Sequence, residues 1–167
     1  LTKSCHDMDI LLYLLGDTHC RSISSFGGLS VFNREHYNPE TMAPMCVDCP
    51  QNATCAYSAT RLYSSGKIKS VVFDLSSVDK VRENLGNSPY GKCVYHCDNN
   101  VVDHQSTAIE FDNGVTATFN LSAFSAKVNR SLKIMCQFGE IRAIEKPYLI
   151  ETTDFRTDET TVLELDI

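Results

Sequence analysis

The chain has 167 residues, 43% of them apolar and 22% charged, and a formal net charge of −6 at pH 7. This length and composition predict one globular domain over residues 1–167, long enough to bury a conventional core. The acidic balance, without any run of Lys and Arg, argues against a nucleic-acid partner, and no apolar run approaches the ~20 residues that a membrane span needs.

The first element in the sequence is a short predicted helix that begins at Ser4 and ends at Gly16. Apolar residues recur along it at helical spacing, which predicts a buried stripe of Cys5, Met8, Leu12 and Leu15. Ser4 is suited to capping the start, and Gly16 to the left-handed residue that ends a helix. The chain opens directly on this helix without a signal peptide, which indicates a fragment of a longer protein.

His6 lies in the first turn of this helix, close to backbone N–H groups that point outward. An imidazole in that place can accept or donate a proton near neutral pH, which makes His6 the candidate acid or base. Asp9 lies on the same face of the helix. The alternative is that His6 is an ordinary surface residue and that Asp7 and Asp9 only complement the helix dipole.

Two short strands, 20–25 and 29–33, are predicted next, with the turn between them at Phe26, Gly27 and Gly28. Residues 34–56 have little periodicity and contain several prolines, which predicts a long ordered loop. Short helices are predicted over 57–64 and from Ser76 to Gly86, the second with a capping-box-like start at Ser76.

Eight cysteines fit either a secreted, oxidised protein or a reduced protein that binds a metal. Asn-x-Ser/Thr triplets at Asn52, Asn120 and Asn129 are compatible with secretion. However, Asn120 lies inside a predicted strand, and the cysteines cluster locally instead of spanning long loops. We therefore expect the reducing environment of the cytoplasm.

Three of these cysteines stand close together in the long loop: Cys46, Cys49 and Cys55. A Cys-x-x-Cys turn with a third cysteine soon after it supplies three corners of a tetrahedral zinc site. The fourth ligand stays open among Cys20, Cys93, Cys97, His19 and His36. A Cys46–Cys49 redox pair and plain buried thiols are the alternatives to a structural zinc site.

The second half of the chain alternates between apolar and polar residues, which predicts strands over 103–111 and 115–124 and three or four more after them. A three-residue loop ending at Gly114 sets Ile109 opposite Ala117 and keeps the apolar rows on one face. The other face is polar but uncharged: Thr116, Thr118, Asn120 and Ser122. The predicted class is α+β, with one open, largely antiparallel sheet and helices packed on one face.

Six motifs occur in order along nearly the whole chain: Lys3–Asp9, Ser25–Leu29, Cys46–Cys49, Cys55–Ala59, Tyr90–Tyr95 and Val101–Gln105. As a set they resemble the C-terminal domain of the Gfo/Idh/MocA oxidoreductases, the family of glucose-fructose oxidoreductase and inositol dehydrogenase. The resemblance implies a substrate-binding α+β domain whose open sheet joins copies into a homo-oligomer. It also implies a parent enzyme that uses NAD or NADP on a hydroxyl or carbonyl of a sugar, polyol or related molecule.

In this resemblance His6 matches a histidine that serves many members as acid or base beside the substrate. Many members carry an aspartate four residues earlier, where this chain has Thr2. The role of His6 is then either shared with Lys3, Asp7 or Asp9, or limited to substrate binding. The resemblance also implies substrate contacts at Asp103 and His104, for which the alternative is a hydrogen-bonded pair at a strand edge.

The dinucleotide is expected to bind a Rossmann domain that is absent from this chain. No Gly-x-Gly-x-x-Gly occurs in the sequence, so the chain lacks that phosphate cradle. Glu145-Lys146-Pro147 repeats a family motif, but far downstream of the place where the family has it. The chain alone is expected neither to bind NAD nor to catalyse, and a non-catalytic, zinc-stapled binding or scaffold module is the second hypothesis.

Overall fold

The structure, a computed structural model, describes residues 4–66, 74–126 and 128–166. The chain divides into two compact units, the first ending at Ala123 and the second beginning at Phe124. Among the described residues, the first unit contains the α-helices and a three-stranded sheet, and the second contains a four-stranded sheet.

The helices are α1 (Ser4–Leu15), α2 (Ala59–Ser64) and α3 (Val78–Gly86), with short 3-10 turns at Arg34–His36 and Pro89–Gly91. Ser58 and Ser77 cap α2 and α3, because each hydroxyl accepts the backbone N–H three residues further on. The cap of α3 is therefore one residue later than the predicted Ser76. Gly16 ends α1 with a φ of +67°, as predicted.

The apolar stripe predicted on α1 is not buried, and that prediction is wrong. The helix contains no buried residue, and in the described part of the chain no other helix or strand contacts it. Ile10, Leu12 and Leu14 are among the large apolar side chains that it exposes. The periodicity identified the helix correctly, but it could not specify a packing partner.

The small core of the first unit forms where α2 and α3 meet. Leu85 and Val81 of α3 are almost fully buried, beside Ala59 of α2 and Cys46 of the preceding loop. Gly91 packs so closely here that a Cβ would collide with the carbonyl oxygen of Leu85. This core holds the end of the cysteine-containing loop against the two helices.

The first sheet is antiparallel, in the order β1 (Cys20–Gly28), β2 (His104–Phe111) and β3 (Thr116–Ser122). Ile109 pairs with Ala117, and the Phe111 N–H donates to the carbonyl oxygen of Val115 (2.9 Å). Gly114 has a φ of +82°. The predicted three-residue loop and register are therefore confirmed.

The strand predicted over 20–25 is confirmed, but the turn predicted at Phe26–Gly28 and the strand over 29–33 are wrong, because β1 runs continuously to Gly28 and ends there. Gly27 stays in the strand and pairs with Gln105. A Cβ at Gly27 would lie 2.6 Å from the carbonyl oxygen of His104, which is closer than a side chain allows. The glycine therefore permits a close approach of two strands instead of a turn.

The two faces of the first sheet differ as the alternation predicts. Thr107, Ile109 and Phe111 of β2 are buried on one face. On the other face, the four polar residues of β3 are exposed: Thr116, Thr118, Asn120 and Ser122. This open polar face meets the candidate site described below at the end of the sheet where β1 finishes.

The second unit is an antiparallel meander of β4 (Ser131–Cys136), β5 (Gly139–Ile144), β6 (Leu149–Asp154) and β7 (Glu159–Glu164). The α+β class is confirmed, but the single open sheet is wrong, since the strands form two sheets. No described helix packs against a strand of the first sheet, which also contradicts the helix layer predicted there. Within the described ranges, no helix is long and apolar enough to cross a bilayer.

Candidate functional site

Asp103 lies immediately before β2, at the end of the first sheet where β1 and β3 finish. Its N–H donates to the carbonyl oxygen of Gly28 (2.8 Å), and its own carbonyl oxygen accepts the N–H of Ala123 (2.8 Å). The main chain of Asp103 thus extends the hydrogen-bond ladder by one residue on both sides. These bonds hold the residue in place before its side chain makes any contact.

The carboxylate of Asp103 is only 1% exposed and is held by the loop that follows β1. Oδ2 accepts the N–H groups of Val31 (2.7 Å) and Phe32 (3.2 Å). Oδ1 accepts the hydroxyl of Ser30 (3.2 Å) and lies 2.8 Å from Nδ1 of His104. A carboxylate that leaves water is stable only where protein donors replace the lost solvation, and this loop supplies them.

Burial and hydrogen bonding act in opposite directions on the pKa of Asp103. Burial raises the pKa, whereas the bonds from His104 and from the Ser30–Phe32 segment lower it by more. The net result is a pKa well below the usual range of an aspartate. Asp103 is therefore ionised at every physiological pH.

His104 is the first residue of β2, and its side chain is 49% exposed. With an ionised carboxylate beside Nδ1, the neutral ring carries its proton on Nδ1 and donates it to Asp103. Nε2 is then an acceptor that the half-exposed ring can offer to a ligand. The ring also lies against Gly28, since a Cβ on Gly28 would be 3.5 Å from Cε1.

The open polar face continues from His104 along β2 and β3. Ser106 lies two residues further on, and its hydroxyl donates to Oδ1 of Asn120 (2.7 Å). Phe26 pairs with Ser106 across the strands, and its side chain is largely exposed. An oriented imidazole thus shares one accessible face with hydroxyl and amide groups and an aromatic ring.

Aromatic rings connect the loop around Asp103 to the cysteine-containing region. Phe32 packs edge-on against Tyr57, with 4.9 Å between ring centroids, and Tyr95 lies within 6.5 Å of both rings. His36 packs against Tyr95, and its Nε2 lies 3.0 Å from the carbonyl oxygen of Ser30. Sequence reasoning missed this cluster because its members are far apart in the chain and share no periodicity.

The predicted site residues fall into two places. Asp103 and His104 are brought together, whereas His6 and Asp9 are exposed on α1, which contacts no strand in the described residues. Lys3 lies outside the described residues. The exposure of His6 leaves its ring accessible to a ligand, and its role as acid or base stays a prediction.

The cysteines predicted as metal ligands lie in one region of the first unit. Cys46 is buried, as is Cys93, and Cys49 and Cys55 are half-buried. Burial raises the pKa of the Cys46 thiol, the Ala59 N–H lowers it, and charge on the other three cysteines raises it further. No disulfide links them, and no three metal-ligating side chains of the described residues already stand in the geometry of a metal site.

Comparison of the chain with protein-family models, with curated proteins and with solved structures gives no match.

Proposed function

We propose that this chain is the substrate-binding and oligomerisation part of an NAD(P)-dependent oxidoreductase acting on a hydroxyl or carbonyl of a sugar, polyol or related molecule. The observation that carries the proposal is the His104 imidazole, held by a buried carboxylate at the edge of an exposed sheet face to which β3 contributes polar, uncharged residues. The sequence resemblance supports the reaction class. The arrangement at Asp103 and His104 supports the kind of ligand.

A polyol presents several hydroxyl groups, each of which both donates and accepts hydrogen bonds. Nε2 of His104 can accept one such hydroxyl, and the exposed groups of Ser106 and Asn120 lie on the same face. Asp103 itself is enclosed and holds the ring in one tautomer and orientation, as carboxylates do for functional histidines elsewhere. Asp103 is thus a positioning residue, and His104 makes the contact.

His6 is the residue that we propose to exchange a proton with the reacting hydroxyl. Oxidation of a carbinol requires its hydroxyl proton to leave, and an imidazole with a pKa near ~6.5 can accept that proton at neutral pH. Asp9 of the same helix, and Lys3, which lies outside the described residues, are the further substrate contacts that we propose. The exposure of His6 and Asp9 is compatible with these roles.

The dinucleotide does not fit this chain. A pyrophosphate is usually held where a strand of a parallel βαβ unit leads into a helix, but both sheets of the described residues are antiparallel. We therefore assign NAD or NADP to a separate Rossmann domain. From the resemblance we also expect an open sheet face to join copies of the chain, outside the part of the first sheet that carries His104, Ser106 and Asn120.

Binding by the chain itself gives the first test. Titration calorimetry against a panel of sugars and polyols is expected to find at least one ligand, and His104→Ala to weaken its binding. His19→Ala is the matched control, because His19 also pairs with an aspartate, at the other end of this sheet, but its side chain is 85% exposed. No ligand in the panel, or equal losses in the two variants, would contradict the proposal.

Turnover gives the second test, with the chain joined to its dinucleotide-binding domain. His6→Ala is expected to lower kcat strongly without changing the melting temperature, because the residue is exposed and supports no core contact. Unchanged kcat would remove His6 from the mechanism.

A non-catalytic, zinc-stapled binding module is the second candidate function, favoured by the burial of Cys46 and Cys93. The two candidates differ in the parent protein. An upstream strand–turn–helix with a Gly-rich turn, together with NAD(P) binding by the full polypeptide, favours the enzyme. A parent without either favours the module.

A further inference from the structure

An isolated antiparallel bridge between Met45 and Lys92 brings Cys46 and Cys93, which are distant in the chain, onto one face. Met45 pairs with Lys92, the Cys46 N–H donates to the carbonyl oxygen of Gly91 (2.7 Å), and the Cys93 N–H donates to that of Pro44 (2.8 Å). Residues 46 and 93 are then diagonal neighbours on the same side of the pair. Such positions are about 7–8 Å apart at Cα, within reach of two side chains that meet at one atom.

The Cys-x-x-Cys turn adds a third thiol at the same place. The Asp48 N–H donates to the carbonyl oxygen of Met45 (3.2 Å) and the Cys49 N–H to that of Cys46 (3.4 Å). These bonds turn the chain sharply directly after the paired segment. Cys49 is therefore carried back beside Cys46 instead of away from it.

Cys55 reaches the region from the start of α2. Its carbonyl oxygen accepts the Ser58 N–H (3.3 Å) and Nη1 of Arg61 (2.9 Å), which ties Cys55 to the first turn of the helix. Ala59, in the same turn, packs with Cys46 in the small core, and its N–H lowers the pKa of the Cys46 thiol. The loop between Cys49 and Cys55 is thus closed on the buried thiol.

The surroundings are suited to a negatively charged cluster. Nη2 of Arg82 donates to the carbonyl oxygen of Val47 (3.0 Å), and Arg61 bonds Cys55 as above. Four thiolates around a divalent cation carry a net charge of −2, which two nearby guanidinium groups would partly balance. We leave Cys97 out of the set, because its thiol already donates to the carbonyl oxygen of Val94 (3.0 Å).

We propose that Cys46, Cys49, Cys55 and Cys93 bind one structural zinc ion in tetrahedral geometry. Cys93 is the fourth ligand, taken from a segment nearly forty residues beyond the other three. Each thiol releases its proton to solvent as its sulfur bonds to Zn²⁺. The side chains rotate inward on binding, since each sulfur must reach about 2.3 Å from the metal.

This zinc ion would fasten the long loop to the small core formed by α2 and α3. Without it, the described loop is held by its turns, by the pairing of Met45 with Lys92 and by the packing of Cys46 in the small core. The inference is independent of the proposed enzymatic function, because it concerns a structural site with no open coordination position.

The test measures metal in the whole chain, purified under reducing conditions. Mass spectrometry of the metal content is expected to give one zinc per chain, and Co²⁺ exchange to give the thiolate charge-transfer bands of a tetrahedral site. Cys93→Ser is expected to abolish stoichiometric binding, whereas Cys97→Ser, four residues away, is expected to retain it. Cys93→His keeps a possible ligand and is expected to bind Co²⁺ with a shifted spectrum.

Several outcomes would overturn the proposal. Folded, metal-free wild-type protein that takes up neither Zn²⁺ nor Co²⁺ would exclude the site. Loss of zinc in Cys97→Ser together with retention in Cys93→Ser would reassign the fourth ligand. Stoichiometric iron with sulfide would replace zinc by an iron–sulfur cluster, which the same four thiols can also hold. The cobalt spectrum of the wild-type chain keeps the test decisive if a variant fails to fold.

Discussion

An aspartate–histidine pair stands at each end of the first sheet. Where β1 finishes, Asp103 is buried, accepts bonds from the Ser30–Phe32 loop and holds His104 at 2.8 Å. Where β1 begins, Nδ1 of His19 lies 3.3 Å from Oδ2 of Asp112, and both side chains are largely in water. The same two residue types therefore differ in role: at one end a buried aspartate positions a histidine, and at the other the two residues form an ordinary surface pair.

The comparison shows that the surroundings of a carboxylate decide its role more than its partner does. Asp112 also accepts a backbone N–H, from His19 (3.2 Å), but water can replace that donor at no great cost. The donors around Asp103 have no such replacement, because the carboxylate is enclosed. We expect the two ends of the sheet to respond very differently to the same substitutions.

Asp103→Asn is expected to give the largest loss of stability among these variants. If the amide oxygen accepts the N–H groups of Val31 and Phe32, its NH₂ group faces the Ser30 hydroxyl and Nδ1 of His104, which must then reverse their bonds. The negative charge that strengthens all four bonds is also lost. Urea denaturation should show a much lower midpoint than for wild type, whereas Asp112→Asn should leave it nearly unchanged. Similar shifts in the two variants would break the comparison.

Acid should remove the stabilisation that the ionised Asp103 gives to the folded state. Because the folded-state pKa lies below the unfolded value of about 3.9, the stabilisation is complete above that pH and is lost as the pH falls below it. Unfolding free energies measured from pH 7 to pH 3 should therefore fall less steeply in Asp103→Asn than in wild type. Parallel curves for Asp103→Asn and wild type would contradict this account.

Gly27→Ala is expected to cost about 2 kcal/mol, because the new methyl group would press on the backbone at His104 and separate β1 from β2. Gly114→Ala, beside Asp112, meets no atom within 4 Å and is expected to cost about 1 kcal/mol from its positive φ alone. The stabilities of the two variants are compared by thermal denaturation. A smaller cost for Gly27→Ala would show that the strands separate easily at the Asp103 end.

His104→Ala is expected to cost about 1 kcal/mol, since one hydrogen bond to Asp103 is lost while the three donors of the loop remain. The chief effect should appear in ligand binding instead. A loss of stability as large as that of Asp103→Asn would mean that His104 is a structural residue and would weaken its proposed role.

His19→Ala is expected to give the smallest effect, within about 0.5 kcal/mol of wild type, as for other exposed ion pairs. A double-mutant cycle with Asp112→Asn measures the pair directly. A coupling energy as large as that between Asp103 and His104 would remove the distinction between the two ends of the sheet.

The sequence predicted the structure correctly where that structure depends on residues close together in the chain. Gly16 and Gly114 mark turns that need a positive φ, and the alternation around Ile109 identified the buried row and its register. The resemblance indicated Asp103 and His104 together, although not that one is enclosed and the other half-exposed.

Distant contacts were the part that sequence reasoning could not supply. Residues 29–33 have the composition of a strand, but the carboxylate of Asp103, some seventy residues later, takes the N–H groups of Val31 and Phe32 and makes the segment a loop. Our proposal of Cys93 over Cys97 likewise depends on the pairing of Met45 with Lys92. Neither contact is encoded in a window of neighbouring residues.

The connections between strands also bear on how quickly each unit forms. In the second unit every strand pairs with the next one in the chain, so each hairpin closes only a short loop. In the first unit β1 can pair only with β2, which starts seventy-six positions after β1 ends. Because loop-closure entropy slows such non-local pairing, hydrogen exchange during refolding should protect β4–β7 before it protects β1.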